Sequence, residues 1–288
     1  MKNPALANKL LTLLTMACGL AGLGAGGAFA VEGHRSDLVN RQVLRVCADP
    51  ANLPFSSQKA KGFENKIADI IGDELGVPVE YTWFPQAVGF ARNTLLAKRC
   101  DLIIGTGQGD DLVLNTNALY RSAYALIYKP NNGLDGVDSL FDPRLKDKSV
   151  GVVIASPPAD ILNKAGLMGK ARPYRMMVDR RYESPGEEMV KDIRSGDIDA
   201  GVLWGPMAGY FATHGDGEKL TVVPLVKDAK SGRTEFRITM GVRQGDDLWK
   251  RQLNDVIRKR RADIDRALLE YGVPLLDEDN KPVTEPRG

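Results

Sequence analysis

Short β-rich runs alternate with amphipathic segments through the first third of the chain. Residues 43–48 and 79–83 predict strands, and 101–105 lacks polar alternation, as a strand covered on both faces requires. Between them, apolar positions within 62–75 recur at helical spacing and stop before a glycine, which predicts a helix. A second helix is predicted at 86–98. The order is therefore β-α-β-α-β.

The same order recurs beyond a strand predicted at 122–128. The repeat comprises strands at 149–154, 174–178 and 198–204, with helices that begin at Ser156 and Ser184. Ser184 and Glu187 fit a capping box, with proline at the first helical position. An extended run at 236–242 and a helical tail at 246–271 follow.

These patterns predict two α/β lobes. The chain crosses to the second lobe near Tyr128 and returns near Asp228, so lobe 1 comprises 31–128 and 229–288, and lobe 2 comprises 129–228. Ligands of open parallel sheets bind at the carboxyl ends of the strands. Two such edges facing each other predict a cleft.

The N-terminus has the pattern of a signal peptide. Lys2 and Lys9 flank the start of an apolar stretch at 10–23, and Ala28-Phe29-Ala30 suits a signal peptidase. Residues 1–30 are therefore predicted to be removed on export, and no later segment approaches the ~20 apolar residues of a membrane span. We expect a periplasmic protein without a membrane anchor after cleavage.

Charge excludes one class of partner. The chain has 39 Lys and Arg against 37 Asp and Glu, and the predicted signal peptide removes two lysines and no acids. A near-neutral chain has no long-range field to attract phosphates, so nucleic-acid binding by bulk charge is not expected.

No catalytic or metal-binding pattern is present in the sequence. Beyond the signal peptide the histidines are His34 and His214, and neither has a ligand at metal-binding spacing. The glycines of 105–110 fit neither phosphate-binding fingerprint. We therefore expect a protein that is not an enzyme and that carries no metal or cofactor.

Two cysteines follow the signal peptide. Cys47 lies late in its predicted strand and Cys100 early in its own, so the two sulfurs meet only if the chain bends locally. An exported chain permits a disulfide. A bridge and two separate buried thiols both remain open.

A family resemblance covers nearly all of the exported chain. The phrases that carry it are Cys47-Ala48-Asp49-Pro50, Leu53-Pro54-Phe55-Ser56, Gly62-Phe63-Glu64-Asn65, Tyr81-Thr82-Trp83, Cys100-Asp101, Trp204-Gly205-Pro206, Ala208-Gly209-Tyr210, Met240-Gly241-Val242-Arg243 and Tyr271-Gly272-Val273-Pro274. The chain resembles the family-3 extracellular solute-binding proteins of amino-acid transporters, and within them the J proteins of methanol-oxidation gene clusters. The resemblance implies the type II periplasmic binding protein fold, with two doubly wound sheets joined by a hinge.

The chain departs from amino-acid receptors at both charged positions. The family clamps the ligand carboxylate with an arginine where this chain has Asp110-Asp111-Leu112-Val113, and holds the ammonium with an aspartate where it has Trp204. An unpaired zwitterion in a desolvated cleft costs several kcal/mol. Arg92 and Arg121 are either substitutes for the missing clamp or ordinary ion-pairing residues.

The candidate cleft is instead aromatic and amide-rich. Its residues, which we expect to meet a ligand or a partner, are Asp49, Asn52, Phe55, Glu64, Trp83, Phe84, Gln86, Phe90, Arg92, Thr106, Arg121, Tyr124, Ser156, Trp204 and Pro206. Aromatic side chains are frequent anchors of interfaces but equally common in cores. Arginines alternate with Met and Tyr over 172–182, which fits either a partner surface or a solvated edge strand.

Three functions remain open. The resemblance implies a non-catalytic periplasmic accessory protein of a pyrroloquinoline-quinone methanol or alcohol dehydrogenase, which supports its maturation, its activation, or the loading of its cofactor or metal. That quinoprotein and its cytochrome c are the candidate partners. A second hypothesis is a transporter receptor for a small ligand other than an amino acid. A third is a dehydratase-like enzyme on the same fold, with Glu64 as its general acid.

Overall fold

The computed structural model of the chain describes residues 38–214 and 217–288. The predicted signal peptide, 1–30, lies outside the described residues. Within the described ranges, no helix has the length and apolar character that crossing a bilayer requires.

The described residues form short strands and helices in alternation. The strands are β1 (Leu44–Ala48), β2 (Ala51–Asn52), β3 (Ser56–Ser57), β4 (Val79–Trp83), β5 (Leu102–Gly107), β6 (Leu114–Tyr128), β7 (Val150–Val153), β8 (Arg172–Tyr174), β9 (Ala200–Trp204), β10 (Thr221–Pro224), β11 (Glu235–Val242), β12 (Leu275–Leu276) and β13 (Pro282–Val283). The helices are α1 (Phe63–Leu75), α2 (Phe90–Asn93), α3 (Pro157–Lys164), α4 (Pro185–Ser195), α5 (Gly205–Thr213), α6 (Asp247–Lys259) and α7 (Arg261–Glu270).

Nine strands form one sheet in the order β4-β1-β5-β11-β6-β9-β7-β8, with β10 also paired to β6. We call β4, β1, β5 and β11 the first half of the sheet, and β9, β7, β8 and β10 the second half. Within the first half β4, β1 and β5 are parallel, and within the second β8, β7 and β9 are parallel. The 15-residue strand β6 pairs with β11 near its start and with β9 and β10 near its end, so it belongs to both halves.

In the first half, β1 and β5 are buried on both faces. Val46 and Leu102 point to one face, where they pack with apolar residues of α1, α6 and α7. The next residues along the same strands, Cys47 and Ile103, point to the other face and pack with Phe90 of α2. The alternation of strand side chains thus supplies two cores from one pair of strands.

The second half follows the same plan. Leu126 and Val202 pack on one face with α3, whereas Ala125 and Leu203 pack on the other face with α4 and α5. Coverage on both faces explains why these strands carry almost no polar residues.

Four predicted elements differ in extent. The helix predicted at 86–98 is limited to α2. It begins after Gly89, whose backbone is left-handed, and it ends where the Thr94 hydroxyl donates a hydrogen bond to the Phe90 carbonyl at 2.7 Å. The strand predicted at 122–128 begins eight residues earlier, as β6. The strand predicted at 174–178 ends at Tyr174, as β8, and the helical tail is broken at Arg260 between α6 and α7.

Cys47 and Cys100 form a disulfide with their Cα atoms 5.6 Å apart. In the β1–β5 ladder Cys47 lies opposite Ile103, so Cys100 is three residues before the residue that faces Cys47. The turn that precedes β5 supplies the bend that brings the two sulfurs together.

A buried carboxylate beside the disulfide joins distant parts of the first half. Asp101 is 1% exposed and accepts hydrogen bonds from Arg45 Nε and Nη2, at 2.7 Å each. It also accepts from Arg243 Nη2 at 2.7 Å and from the backbone N–H of Asn40 at 3.1 Å. Its own carbonyl accepts from the Trp249 indole at 3.0 Å. One residue thereby ties β1 and β5 to helix α6.

We expect Asp101→Asn to lower the free energy of unfolding by about 3 kcal/mol, because removing the acid from a buried network of ion pairs is strongly destabilising. The effect falls at the low end of such losses because Asp246 still pairs with Arg243 at 2.8 Å. Equilibrium urea unfolding measures it. The control is Asp147→Asn, which removes a surface pair with Lys170 and should change stability by less than about 0.5 kcal/mol. Equal losses in both variants would contradict the prediction.

Candidate functional site

A polar cluster forms where β1 and β4 end. Asp49 is 4% exposed, and its carboxylate accepts from the backbone N–H groups of Ala51 at 2.8 Å and Gln86 at 2.7 Å. The Asp49 carbonyl accepts from the Ser56 hydroxyl at 2.9 Å. The Asn52 amide donates to the side-chain oxygen of Gln86 at 2.9 Å. These bonds fix the loops after the two parallel strands to each other.

Arg180 connects this cluster to the second half. Its Nη1 donates to the backbone carbonyl of Gln86 at 3.1 Å and lies 3.6 Å from Asp49 Oδ2. We call these three residues the Arg180 clasp. Because Arg180 follows β8 and its two partners follow β1 and β4, the clasp joins the two halves across the predicted cleft.

Glu64, in the first turn of α1, is the second acid of this region. It is 8% exposed, and a Cβ at Gly105 would lie 2.1 Å from Glu64 Oε1, so the carboxyl group packs against the backbone of β5. Burial, aided by the negative charge of Asp49, raises the pKa of Glu64 to about 8. At neutral pH this carboxyl is mostly protonated. It can donate a hydrogen bond but does not supply the negative charge that an ammonium group needs.

Three aromatic rings pack edge to face where β6, β9 and β11 meet. The ring centres of Tyr124 and Trp204 are 5.4 Å apart, and those of Trp204 and Phe236 are 5.6 Å apart. The Arg233 guanidinium lies over the Phe236 ring at 4.4 Å. Tyr124 and Trp204 were among the predicted site residues, whereas Phe236, the first residue of the extended run predicted at 236–242, was not. Trp204 therefore contributes to a packed aromatic cluster between the halves.

A close backbone contact joins the halves on another side. A Cβ at Gly209 of α5 would lie 1.7 Å from the carbonyl oxygen of Gly272, so only glycine permits this approach. Tyr210 stacks on Tyr271 with ring centres 5.9 Å apart, and the Tyr271 hydroxyl donates to the Lys61 carbonyl at 3.0 Å. Two of the phrases that carry the family resemblance thus contact each other.

Four aromatic candidates take part in packing. Phe84 and Phe90 lie 6.4 Å apart, ring to ring, and surround the disulfide. Phe55 packs on the aromatic ring that begins α1, at 5.3 Å. Trp83 stacks at 4.6 Å on the tyrosine two residues earlier in β4.

The polar candidates have separate surroundings. The Thr106 hydroxyl lies 3.0 Å from a threonine hydroxyl of β11, and the Ser156 hydroxyl donates to a carbonyl of β7 at 2.6 Å. Pro206 is buried in the first turn of α5. Arg92 is exposed on α2.

Arg121 is bound by acids at the strand crossing. It lies directly opposite Arg237 in the β6–β11 ladder, an arrangement that is unfavourable without a counter-ion. Glu278, from the loop between β12 and β13, pairs with Arg121 at 3.2 Å and also contacts Arg237. Arg121 further donates to Asn280 at 2.7 Å. Glu278 and Asn280 were not among the predicted residues.

The segment where amino-acid receptors carry their arginine forms an exposed acidic turn. Asp110 and Asp111 are both exposed, and Asp110 accepts from the backbone N–H of Leu112 at 3.0 Å. The charges available there repel a ligand carboxylate.

Two cavities lie between the halves. The larger, of about 390 Å³, is lined by Asn52 and Leu53 on one side and by Arg180, Tyr210 and His214 on the other. The smaller, of about 210 Å³, is lined on its two sides by Asp49 and Gln86 and by the segment 176–181. In the described residues, no three His, Cys, Asp or Glu side chains converge as a metal site.

Comparison with known proteins assigns the chain to a family. No family model matches the sequence. Over 250 residues the chain is 30% identical to Protein MoxJ of Methylorubrum extorquens. The alignment covers 82% of this chain and 83% of the relative. The chain belongs to the MoxJ family.

Solved structures agree with this membership. The crystal structure of the periplasmic binding protein XoxJ from Methylobacterium extorquens AM1 shares 43% identity, with a TM-score of 0.70 over 82% of this chain and all of that one. An ancestral cationic amino acid solute-binding protein matches at 22% identity and a TM-score of 0.62, over 81% and 96% of the two chains, and shows the fold alone. The MoxJ-family chain therefore has the type II periplasmic binding protein fold and is a solute-binding-like protein linked to methanol oxidation.

The raised pKa of Glu64 makes stability depend on pH. The folded state holds its proton up to about pH 8, whereas an unfolded chain releases it near 4.5, so this group makes the free energy of unfolding fall as pH rises between those values. Each pKa unit corresponds to about 1.4 kcal/mol. We expect Glu64→Gln to remove this pH dependence. The free energy of unfolding of the variant, relative to that of the unaltered chain, should therefore rise by on the order of 3 kcal/mol from pH 5 to pH 8.

Urea unfolding of both proteins at the two pH values measures this difference. Glu188→Gln, on the exposed side of α4, is the control and should follow the pH dependence of the unaltered chain. A stability difference between Glu64→Gln and the unaltered chain that does not change with pH would show that Glu64 is ionised when folded.

Proposed function

We propose that this MoxJ-family chain is a non-catalytic periplasmic accessory protein that supports the maturation of a pyrroloquinoline-quinone methanol dehydrogenase. The observation that carries the proposal is the Arg180 clasp. In a receptor, groups at the mouth of the cleft are free to meet a solute. Here Asp49 and Gln86 are bonded to each other and to Arg180 of the opposite half.

The other contacts between the halves support the same reading. The aromatic cluster around Trp204 and the backbone contact of Gly209 with Gly272 are made within the chain. A shape held by internal contacts suits a protein that presents its surface to a partner. Membership of the MoxJ family makes a methanol dehydrogenase the partner to test.

The chemistry of the cleft disfavours an amino-acid receptor. Trp204 carries no charge, Glu64 is mostly protonated at neutral pH, and Asp110 stands where an arginine clamp is needed. The dehydratase alternative is also weak, because Glu64 packs against Gly105 and lines neither of the two cavities described between the halves.

The accessory role predicts a maturation defect. A strain that lacks this gene should produce its quinoprotein methanol dehydrogenase with reduced specific activity. In the unaltered strain, the chain should co-purify with the enzyme. Complementation with the full gene should restore activity, whereas a copy without codons 2–30 should not, because the product stays outside the periplasm. Full activity in the deletion strain, together with no co-purification, would contradict the proposal.

Amino acids should leave the melting temperature unchanged. A ligand at one hundred times its dissociation constant stabilises a protein by about 2.7 kcal/mol, which a thermal shift assay detects. We expect no shift with any of the twenty amino acids at millimolar concentration, because the arginine clamp and the ammonium-binding aspartate of amino-acid receptors are replaced by Asp110 and Trp204, and Asp49 and Arg180 at the cleft pair with each other. An amino-acid receptor of the same fold serves as the positive control. A shift with any one of them would support transport instead.

A further inference from the structure

The most exposed large apolar side chains of the described residues gather in two short segments. Val88 is 89% exposed, Tyr182 80% and Met177 64%, and no other large apolar side chain in the described ranges exceeds these values. Met176, beside Met177, is 40% exposed. We call these four residues the apolar lip. An exposed cluster of this kind marks an interaction surface more often than a lone exposed residue does.

The two segments lie on opposite walls of one groove. Pro85 and Ala87, just before Val88, line the cavity of about 210 Å³ from the first half, and Met176 and Met177 line it from the second. The Arg180 clasp holds the walls together through the Gln86 carbonyl. The lip therefore spans both halves and depends on their arrangement.

The segment that carries most of the lip is rich in arginine. Residues 172–183 contain four arginines and two acids, and Arg172 and Arg180 pair with Asp192 and Asp49 outside the segment. Arg175 pairs with Glu183 and Arg181 with Asp179, both at 2.6 Å, and both guanidinium groups are more than 60% exposed. Exposed pairs of this kind contribute little to stability, so a partner carboxylate can replace the internal one at small cost. Arg175 and Arg181 can therefore offer two positive charges beside the apolar lip when a partner displaces Glu183 and Asp179.

We propose that the apolar lip and its arginines form the surface that docks onto an acidic patch with apolar side chains at its centre, on the dehydrogenase. This assignment rests on the proposed function. Met, Tyr and Arg are the residue types enriched in interfaces, and methionine adapts its shape to a partner. The arginines would steer association, and the lip would slow dissociation.

Binding to the purified methanol dehydrogenase tests the lip. The double variant Met177→Asp/Tyr182→Asp should raise the dissociation constant at least tenfold in biolayer interferometry. Leu248→Asp is the matched control, since Leu248 is 59% exposed on α6, and it should bind within twofold of the unaltered chain. Circular dichroism checks that all three proteins are folded, which we expect because the altered side chains are exposed.

The arginines are tested by the rate of association. Arg175→Gln/Arg181→Gln should lower the association rate at 50 mM salt and flatten its salt dependence. Arg258→Gln/Arg266→Gln removes two exposed, ion-paired arginines of α6 and α7, and it should change neither the association rate nor its salt dependence.

The outcomes separate the two proposals. If the unaltered chain binds and the Met177→Asp/Tyr182→Asp variant binds within twofold of it, the docking surface is wrong and the accessory function stands. If the unaltered chain does not bind the dehydrogenase at all, the proposed function fails and the docking assignment fails with it. Equal losses in the lip variant and Leu248→Asp would also overturn the assignment.

Discussion

The buried carboxylate of Asp101 is the interaction on which the rest of the first half depends. It neutralises Arg45 on β1 and Arg243 after β11, while its backbone holds Trp249 of α6. The adjacent disulfide fixes the same turn to β1. Because the polar cluster of the candidate site is built on the far ends of β1 and β4, its geometry is set by how this turn aligns the parallel strands.

Much of the architecture follows from periodicity. Phe63, Ile67 and Ile71 recur at helical spacing and are all fully buried in α1, and the repeated β-α-β order anticipated two parallel sets of strands. The pattern failed where local bonds decide the outcome. The Thr94 hydroxyl competes for the Phe90 carbonyl and ends α2 after one turn, a competition that hydrophobic spacing does not report.

The candidate site was harder to predict than the fold. Asp49, Asn52 and Gln86 were identified because they follow strands whose carboxyl ends share an edge. Arg180 was noticed only as part of a basic run, since its partners Gln86 and Asp49 are far away in sequence and the contact exists only when the halves meet. Aromatic residues were the weakest signal. Phe84 and Phe90 pack around a disulfide, and residue type alone does not separate such positions from binding surfaces.

Strand β6 has a mechanical consequence. A flexible linker would let two lobes swing freely, but here fifteen consecutive residues carry the ladder through both halves, and β11 crosses beside them with register shifts at Ile238 and Thr239. Relative rotation of the halves must twist β6, so this strand resists the rotation as a torsion spring does. Strain applied by a bound protein at one end would be carried elastically to the other without any loop having to change its conformation.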